Sequence, residues 1–284
     1  MHPLFRSLLI PALALLAAHA ASAQVTEGDD APLRFGRFEH EGKAAYGVLA
    51  VGGVHELDRS FLDPDAKTTG RVFKLDDVRL LVPIVPSKVI GIARNYKGQV
   101  DPRPDEPGFF AKLASGLVDP EGEILPPPGS SDLHFEGEMV IVIARRARNV
   151  AAADAGEYIF GVTAGNDVTE RSYPFEPFSV LRTKGFDGSG PLGPWIVPGL
   201  SYDRLKLTTR LNGEVVQQAS TREMLFSSHE ILAAVSRYIT LEPGDVIYTG
   251  TPGTTRAMKP GDVLEVELEG VGVLRNTVRK APQQ

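Results

Sequence analysis

The stretch Phe135-Glu-Gly-Glu-Met-Val-Ile-Val-Ile-Ala144 carries two glutamates at its head and is otherwise almost entirely apolar. Successive side chains of a β-strand point to opposite faces, so Glu136, Glu138 and the preceding His134 would share one face. Both faces continue into apolar residues, which is typical of a strand that is covered on both sides. The stretch therefore predicts a core strand with carboxylates at one end.

Two unpaired carboxylates on such a strand would repel each other and would lose their hydration on burial. A hard divalent cation with oxygen ligands neutralises them, and Mg²⁺ or Mn²⁺ fits best, with Ca²⁺ as an alternative. Asp167 ends the turn-forming tripeptide Gly165-Asn166-Asp167, which follows the next predicted strand. With Glu136 and Glu138 it would complete a site of three carboxylates.

The beginning of the chain has the features of a secretory signal peptide. Arg6 supplies a positive charge, residues 8–18 are apolar, and the small residues 21–23 resemble a cleavage site. The apolar stretch is too short for a good membrane span. We therefore expect removal of residues 1–23, a mature chain that begins near Gln24, export to the periplasm or the medium, and no membrane span after cleavage.

The composition excludes several classes of function. Removing residues 1–23 takes away one arginine and no acid, which leaves 29 basic and 36 acidic residues and a net charge of about −7. This acidic balance argues against a nucleic-acid partner. The chain has no cysteine, which excludes disulfides, thiolate metal sites and a cysteine nucleophile.

The mature chain divides into two predicted domains. Residues 33–58 alternate short apolar runs with polar turns, which indicates a small β-rich domain over residues 24–85. Prolines cluster near residues 83–86, and residues 86–280 form the predicted catalytic domain. The β-forming runs predict an α+β fold in which strands dominate.

Two local patterns predict particular elements of the second domain. Asn212-Gly213 lies between two β-forming runs, which predicts a hairpin over residues 205–219. Ser227 has Glu230 three residues on, in the spacing of a capping box, so the one convincing helix should begin there.

Gly188-Ser-Gly-Pro-Leu-Gly193 matches the dinucleotide-binding fingerprint letter for letter. That fingerprint requires a helix that opens inside the motif, and Pro191 and Pro194 prevent one. We therefore expect no dinucleotide-binding fold. The chain also lacks the phosphate-binding P-loop and the nucleophile elbow of serine hydrolases.

From about Val89 to Val278 the chain resembles the fumarylacetoacetate hydrolase family, because seven short motifs follow one another in the family's order. They are Gly91–Tyr96, Phe109–Lys112, Glu136–Glu138, Asn166–Arg171, Lys184–Asp187, Gly193–Trp195 and Thr249–Pro252. The resemblance implies a mixed β-roll around a buried metal ion, a small carboxylate-bearing keto acid as substrate, and a homodimer.

The resemblance also implies roles for individual residues. Glu136, Glu138 and Asp167 occupy the metal-ligand positions, Lys184 matches a catalytic lysine that faces the substrate's oxygens, and Thr251 matches a residue that meets its carboxylate. The other implied substrate-binding residues are Arg94, Lys112 and Gly250. A Thr-Gly-Thr turn presents N–H groups and hydroxyls, which suit an anion.

The chain departs from the family at the residues that activate water. Family hydrolases use a histidine and a glutamate after the Asn-Tyr pair, and here Gln99 and Pro102 occupy those positions. An amide cannot accept a proton near neutral pH. Pro174 replaces a glutamine that often follows the Asn-Asp motif. Gln99 could still orient a water, and His134 is a candidate base or extra metal ligand, with an ordinary strand residue as the alternative.

The sequence thus favours a metal-dependent hydrolase that cleaves a C–C bond in a small 2-oxo or 1,3-dicarbonyl acid. A decarboxylase or an isomerase or tautomerase of 2-oxo acids is the first alternative, since stabilising an enolate needs no activated water. A catalytically silent protein that binds metal and carboxylate is the second.

Overall fold

The computed structural model describes residues 32–173 and 179–280. The predicted signal peptide and Pro174 lie outside the described residues. Strands dominate the described part of the chain, and their bounds follow. They are β1 (Arg34–His40), β2 (Lys43–Ala50), β3 (Gly53–Leu57), β4 (Thr68–Phe73), β5 (Arg79–Leu81), β6 (Val89–Ala93), β7 (Gly108–Lys112), β8 (Leu117–Val118), β9 (Glu123–Ile124), β10 (Leu133–His134), β11 (Gly137–Ile143), β12 (Ile159–Asn166), β13 (Thr169–Glu170), β14 (Gly190–Val197), β15 (Lys206–Leu211), β16 (Glu214–Ser220), β17 (Val246–Tyr248), β18 (Val263–Leu268) and β19 (Gly272–Val278).

Helices are few in the same residues. The α-helices are α1 (Val180–Lys184) and α2 (Ser228–Tyr238), and short 3₁₀ helices cover Leu75–Asp77, Ala114–Gly116, Ala152–Tyr158 and Thr221–Glu223. The predicted strand-dominated α+β fold is confirmed. None of the helices in the described ranges is long and apolar enough to span a membrane.

The strands form two main sheets. The larger has the order β4-β3-β2-β1-β14-β12-β11-β17-β6-β7, with β5 added to β1 and β8 to β14. The second has the order β16-β15-β18-β19-β9, and β10 pairs with β13. Phe35 of β1 pairs with Ile196 of β14, so the N-terminal strands continue the sheet of the second domain. The predicted boundary between two domains stays a prediction.

β11 is the central strand that the sequence predicts, and all seven of its residues are buried. Val140 and Val142 pack in one apolar cluster, and Ile141 and Ile143 pack in another, beneath α2. The strand begins at Gly137 rather than at the predicted Phe135, because the Glu136 N–H donates to the side chain of Asn166 at 2.8 Å and not to the main chain of a neighbouring strand.

The other local patterns give the expected elements. Ser227 caps α2, and its side chain and that of Glu230 form the predicted capping box. Asn212 and Gly213 connect β15 and β16 as a hairpin, with φ angles of 53° and 81°. The second half of the dinucleotide-like motif lies in strand β14, so no helix opens there.

Candidate metal and substrate site

Three carboxylates converge at the end of β11. Oxygen atoms of Glu136, Glu138 and Asp167 lie within 4.8 Å of one another, and all three residues are buried. The sheet brings them together, since β11 and β12 are antiparallel neighbours and Gly137 pairs with Asn166. The Asp167 N–H then donates to the Glu136 carbonyl at 2.8 Å. The predicted convergence of these three side chains is therefore present.

The glycine between the two glutamates is required by the second sheet. A Cβ atom on Gly137 would lie 2.0 Å from the Oγ1 atom of Thr209 in β15, which is far inside van der Waals contact. β15 therefore passes directly over the segment that carries both carboxylates. In the Glu-Gly-Glu pattern, the glycine leaves room for Thr209, and the two glutamates lie on the same face of the strand.

Basic side chains neutralise two of the three carboxylates. The Lys184 Nζ atom lies 2.6 Å from both Glu136 and Asp167, and Lys112 Nζ lies 2.6 Å from the other Asp167 oxygen. Arg171 donates to Glu136 at 2.9 Å. Of the two strand glutamates, which were expected to lack cationic partners, Glu136 has two, Lys184 and Arg171. The expectation was wrong for Glu136 because it considered only neighbours along the strand.

Glu138 has a different environment. Its Oε2 atom accepts a hydrogen bond of 2.6 Å from the neutral Gly250 N–H. Burial, followed by the charges of Asp167 and Glu136, raises the pKa of Glu138 well above its ordinary value. Negative charge is thus least compensated at Glu138.

The two lysines differ in their electrostatics. Burial by itself would lower the pKa of Lys184, but Asp167 and Glu136 outweigh it, and the pKa of Lys184 is raised. Burial prevails at Lys112 and lowers its pKa. At Asp167 burial opposes ionisation, yet the two lysines lower the pKa of the carboxyl group. Lys184 therefore stays a cation across the physiological range.

The residues of this site fit a divalent metal ion. The donor set consists of carboxylate oxygens, which hard cations such as Mg²⁺ and Mn²⁺ prefer. The carboxylates converge in a buried place, and a cation there would relieve the repulsion that Glu138 experiences from its two neighbours. Glu136, Glu138 and Asp167 are the residues that would hold the ion.

The side-chain amide of Gln99 forms a hydrogen bond with the main chain at both its oxygen and its nitrogen. Its Oε1 atom accepts from the Tyr96 N–H at 2.9 Å, and its Nε2 atom donates to the Thr251 carbonyl at 2.9 Å. The side chain thus joins the Asn-Tyr segment to the Thr-Gly-Thr turn. Its predicted catalytic role stays a prediction.

The Thr-Gly-Thr turn lies against β11. The hydroxyl of Thr249 donates to the Met139 carbonyl at 2.8 Å, and the hydroxyl of Thr251 donates to the Gly137 carbonyl at 2.9 Å. Gly250, with φ of 100°, approaches Asn95 so closely that a Cβ atom would lie 2.8 Å from the Asn95 Cβ atom. These hydroxyls were expected to face an anion, but both donate hydrogen bonds to main-chain carbonyls of β11. Substrate binding by Thr251 and Gly250 stays a prediction.

The remaining predicted site residues lie in varied surroundings. The ring nitrogens of His134 lie 2.8 Å from Thr255 Oγ1 and 2.9 Å from an Asp132 oxygen. Arg94 is exposed and has a left-handed backbone with φ of 48°. Lys112 donates to the carbonyls of Lys184 and Ser189 as well as to Asp167. The predicted roles of Lys112, His134 and Arg94 in substrate binding and the reaction stay predictions.

Sequence reasoning missed two contributors to the site. Arg171 ends the motif Asn166–Arg171, but the sequence does not mark it as a partner of Glu136, because the contact depends on how the residues after β13 pack beside the sheet. Gln217 of β16 is buried and hydrogen-bonded to the Thr251 hydroxyl at 3.0 Å. No local signal marks Gln217, because the contact depends on how the second sheet packs on the first.

The fold and the site define a strand-rich roll with a buried centre of carboxylates and lysines. A family model described as "Fumarylacetoacetate (FAA) hydrolase C-terminal" matches residues 88–279, and one described as "Rv2993c-like, N-terminal" matches residues 33–83. The first match covers more than half of the chain, so the chain belongs to the fumarylacetoacetate hydrolase family.

Several similar proteins carry the names of isomerases. The human mitochondrial oxaloacetate tautomerase FAHD2A is 37% identical over 224 residues, which are 73% of this chain and 71% of that protein. The structure of 5-carboxymethyl-2-hydroxymuconate delta-isomerase from Mycobacterium smegmatis has a TM-score of 0.81 and 37% identity, and covers 87% of this chain and 99% of that chain. The structure of 2-hydroxyhepta-2,4-diene-1,7-dioate isomerase from Mycobacterium marinum has a TM-score of 0.81, 35% identity and coverages of 87% and 98%. The chain is thus an enzyme of this family, and these relatives favour the isomerase or tautomerase alternative over the C–C bond hydrolase.

Proposed function

We propose that this chain is a divalent-metal-dependent tautomerase or isomerase of a small 2-oxo dicarboxylic acid, with oxaloacetate as the first substrate to test. The observation that carries the proposal is Gln99, an amide held by the main chain at both ends, at the position where the resemblance implies a histidine in the family's hydrolases. Hydrolysis needs a group that takes a proton from water, and an amide cannot do this near neutral pH.

Tautomerisation requires stabilisation of an enolate, and the residues for that are present. Lys184 is held as a cation between Glu136 and Asp167, and its ammonium group lies 5.3 Å from the centre of the Phe110 ring. A charge that is fixed in a buried place stabilises developing negative charge more strongly than one in water. When bound by the three carboxylates, a divalent cation such as Mg²⁺ or Mn²⁺ supplies further positive charge that lowers the energy of the enolate.

The charge around the site supports a dicarboxylic substrate. Arg171 is tied to Glu136, but 44% of its side chain is exposed, so part of the guanidinium group remains accessible. Guanidinium groups bind carboxylates through paired hydrogen bonds. The names of two relatives, oxaloacetate tautomerase and 2-hydroxyhepta-2,4-diene-1,7-dioate isomerase, also refer to dicarboxylic compounds.

The test is the conversion of enol-oxaloacetate to the keto form, followed by loss of enol absorbance, with Mg²⁺ or with EDTA. Pyruvate and acetate from acetylpyruvate, and CO₂ from oxaloacetate, are measured in parallel. We expect metal-dependent loss of the enol signal above the buffer rate. Cleavage of acetylpyruvate as the main reaction would restore the hydrolase, CO₂ release would indicate a decarboxylase, and metal binding without turnover would indicate a silent binder.

Two expectations about the form of the protein in the cell belong to the same proposal. The first is export after removal of residues 1–23, and the second is a homodimer. Determination of the N-terminus of protein from the periplasm tests the first, since it should begin near Gln24. Light scattering on the purified mature chain tests the second, because a monomeric mass would contradict it.

A further inference from the structure

We propose that Gln217 is a positioning residue that sets the separation between the metal-ligand segment Glu136–Glu138 and the turn Thr249–Pro252. The inference rests on the proposed function and on the predicted contact between Thr251 and the substrate's carboxylate. Gln217 lies in β16 of the second sheet and is 5% exposed. Its amide reaches both segments.

The contacts of Gln217 form a closed ring of hydrogen bonds. Its Nε2 atom donates to the Thr251 hydroxyl at 3.0 Å and to the Pro252 carbonyl at 2.6 Å. Its Oε1 atom accepts from the Gly137 N–H at 3.3 Å. The Thr251 hydroxyl donates in turn to the Gly137 carbonyl at 2.9 Å. Both polar groups of Gly137 are therefore engaged by Gln217 and Thr251.

This ring requires an amide. One end of the side chain must accept from an N–H group, and the other must donate two hydrogen bonds to oxygen atoms. A glutamate would keep the first contact and lose both donors, whereas a methionine would keep the volume and lose all three contacts. Buried groups that lose their partners are costly, so either change would move the Thr249–Pro252 turn.

The position of the ring connects it to the site. Gly137 lies between two of the three carboxylates, and the Gly250 N–H of the same turn donates to Glu138. Gln99 holds the turn from its other side, through the Thr251 carbonyl. A shift of the turn would change both the place of a bound carboxylate and the hydrogen bond to Glu138.

Gln218 provides a matched control on the same strand. Its side chain is on the opposite, exposed face of β16 and donates to the Thr208 hydroxyl at 3.4 Å. The experiment compares Gln217→Met and Gln218→Met in the Mg²⁺-loaded protein. It measures kcat and KM for enol-oxaloacetate, the Kd of oxalate as a carboxylate probe that does not react, and the melting temperature.

We expect Gln217→Met to raise the oxalate Kd and the KM by about tenfold, because small misplacements in a site have effects of this size or more. Gln218→Met should match the wild type. A Gln217→Met protein with wild-type Kd and KM, whether or not its melting temperature falls, would overturn the inference. If that variant does not fold, Gln217→Glu is measured by the same criteria, since it keeps the volume and the contact with Gly137.

The oxalate measurement separates the two proposals. Wild-type protein that binds oxalate but does not tautomerise oxaloacetate would contradict the proposed reaction, while the comparison of Gln217→Met with wild type would still decide the positioning role. Wild-type protein that turns over oxaloacetate while Gln217→Met keeps its affinity would contradict the positioning role alone. Wild-type protein that neither binds oxalate nor tautomerises oxaloacetate would overturn both.

Discussion

The two halves of the site hold their carboxylates in different ways. In the charged half, Glu136 and Asp167 contact the cations of Lys112, Lys184 and Arg171. The neutral half consists of Glu138, Gln99, Gln217 and the turn Thr249–Pro252, and there the carboxylate accepts from a backbone N–H. The charged half thus holds cations beside its carboxylates, and the neutral half holds Glu138 and the turn in place through uncharged hydrogen bonds.

This difference has a consequence for the reaction. The ion pairs of the charged half keep Lys184 protonated, so this half can stabilise an enolate. In the neutral half, burial and the charges of Asp167 and Glu136 make the ionised form of Glu138 unfavourable, and a bound cation would stabilise that form. A metal site and a fixed cation can therefore coexist within a few ångströms.

The largest expected effect is a difference in the free energy of unfolding between a variant of the charged half and a variant of the neutral half. In metal-free protein, Asp167→Asn should lower the free energy of unfolding by about 3–5 kcal/mol, because it leaves the buried Lys112 without its carboxylate partner and removes one of the two carboxylates that contact Lys184. Glu138→Gln should leave it unchanged or raise it, since it removes like-charge repulsion and keeps the shape of the side chain.

Urea unfolding in EDTA measures both variants, and added Mn²⁺ should stabilise neither as it stabilises the wild type. Equal losses in the two metal-free variants would mean that the halves do not differ. An unchanged Mn²⁺-dependent shift of melting temperature in Glu138→Gln would contradict the metal assignment.

The second effect concerns turnover and addresses the charged half alone. Lys184→Met should lower kcat for oxaloacetate tautomerisation by about 10²–10³-fold, the usual cost of removing one fixed electrostatic stabiliser. The exposed Lys43→Met of β2 is the control and should retain full activity. A Lys184→Met variant with unchanged kcat would show that the ammonium group serves only to hold Glu136 and Asp167.

Local patterns show how much of the site the sequence could predict. The alternation of β11 places Glu136 and Glu138 on one face, and the turn after β12 carries Asp167, so these carboxylates of both halves were predictable. The capping box of α2, outside the site, was predictable in the same way. Resemblance added Lys184. The ion pairs of Lys112 and Arg171 were not predictable, because they depend on how β7 and the residues after β13 pack beside the sheet.

The neutral half was predicted less well, for the same physical reason. Its turn was identified from the Thr-Gly-Thr motif, but its hydroxyls were expected to face an anion and they donate to β11. Gln217 belongs to another sheet, at a sequence separation of 80 residues from Gly137. No sequence pattern around Gly137 or around Gln217 predicts this hydrogen bond.

The third effect tests the place where the halves meet. Gly137→Ala should cost about 1–3 kcal/mol of stability, because its Cβ atom would collide with the Thr209 hydroxyl, and overpacking has costs of this size. Thr209→Ala removes the hydroxyl, which has no hydrogen-bond partner among the described residues. The double variant should recover about 1 kcal/mol relative to the sum of the single changes. Additive effects would mean that β15 does not press on this segment.

The smallest effect is the pH dependence of the metal-free protein, which isolates Glu138. Its pKa is raised on folding, so between the ordinary glutamate pKa of about 4.3 and the raised folded value the native state binds more protons than the unfolded state. Stability must therefore fall as pH rises through that window, by at most about 1.4 kcal/mol per pH unit. Other groups titrate there as well, but Glu138→Gln lacks only this one. The free energy of unfolding of the wild type minus that of Glu138→Gln, measured by urea unfolding in EDTA, should fall with rising pH and become constant above the folded pKa.

Protons and metal compete for the same carboxylate, so wild-type affinity for Mn²⁺ should increase over the same window. A flat difference curve would mean that the Gly250 N–H compensates the charge of Glu138 without help from a cation.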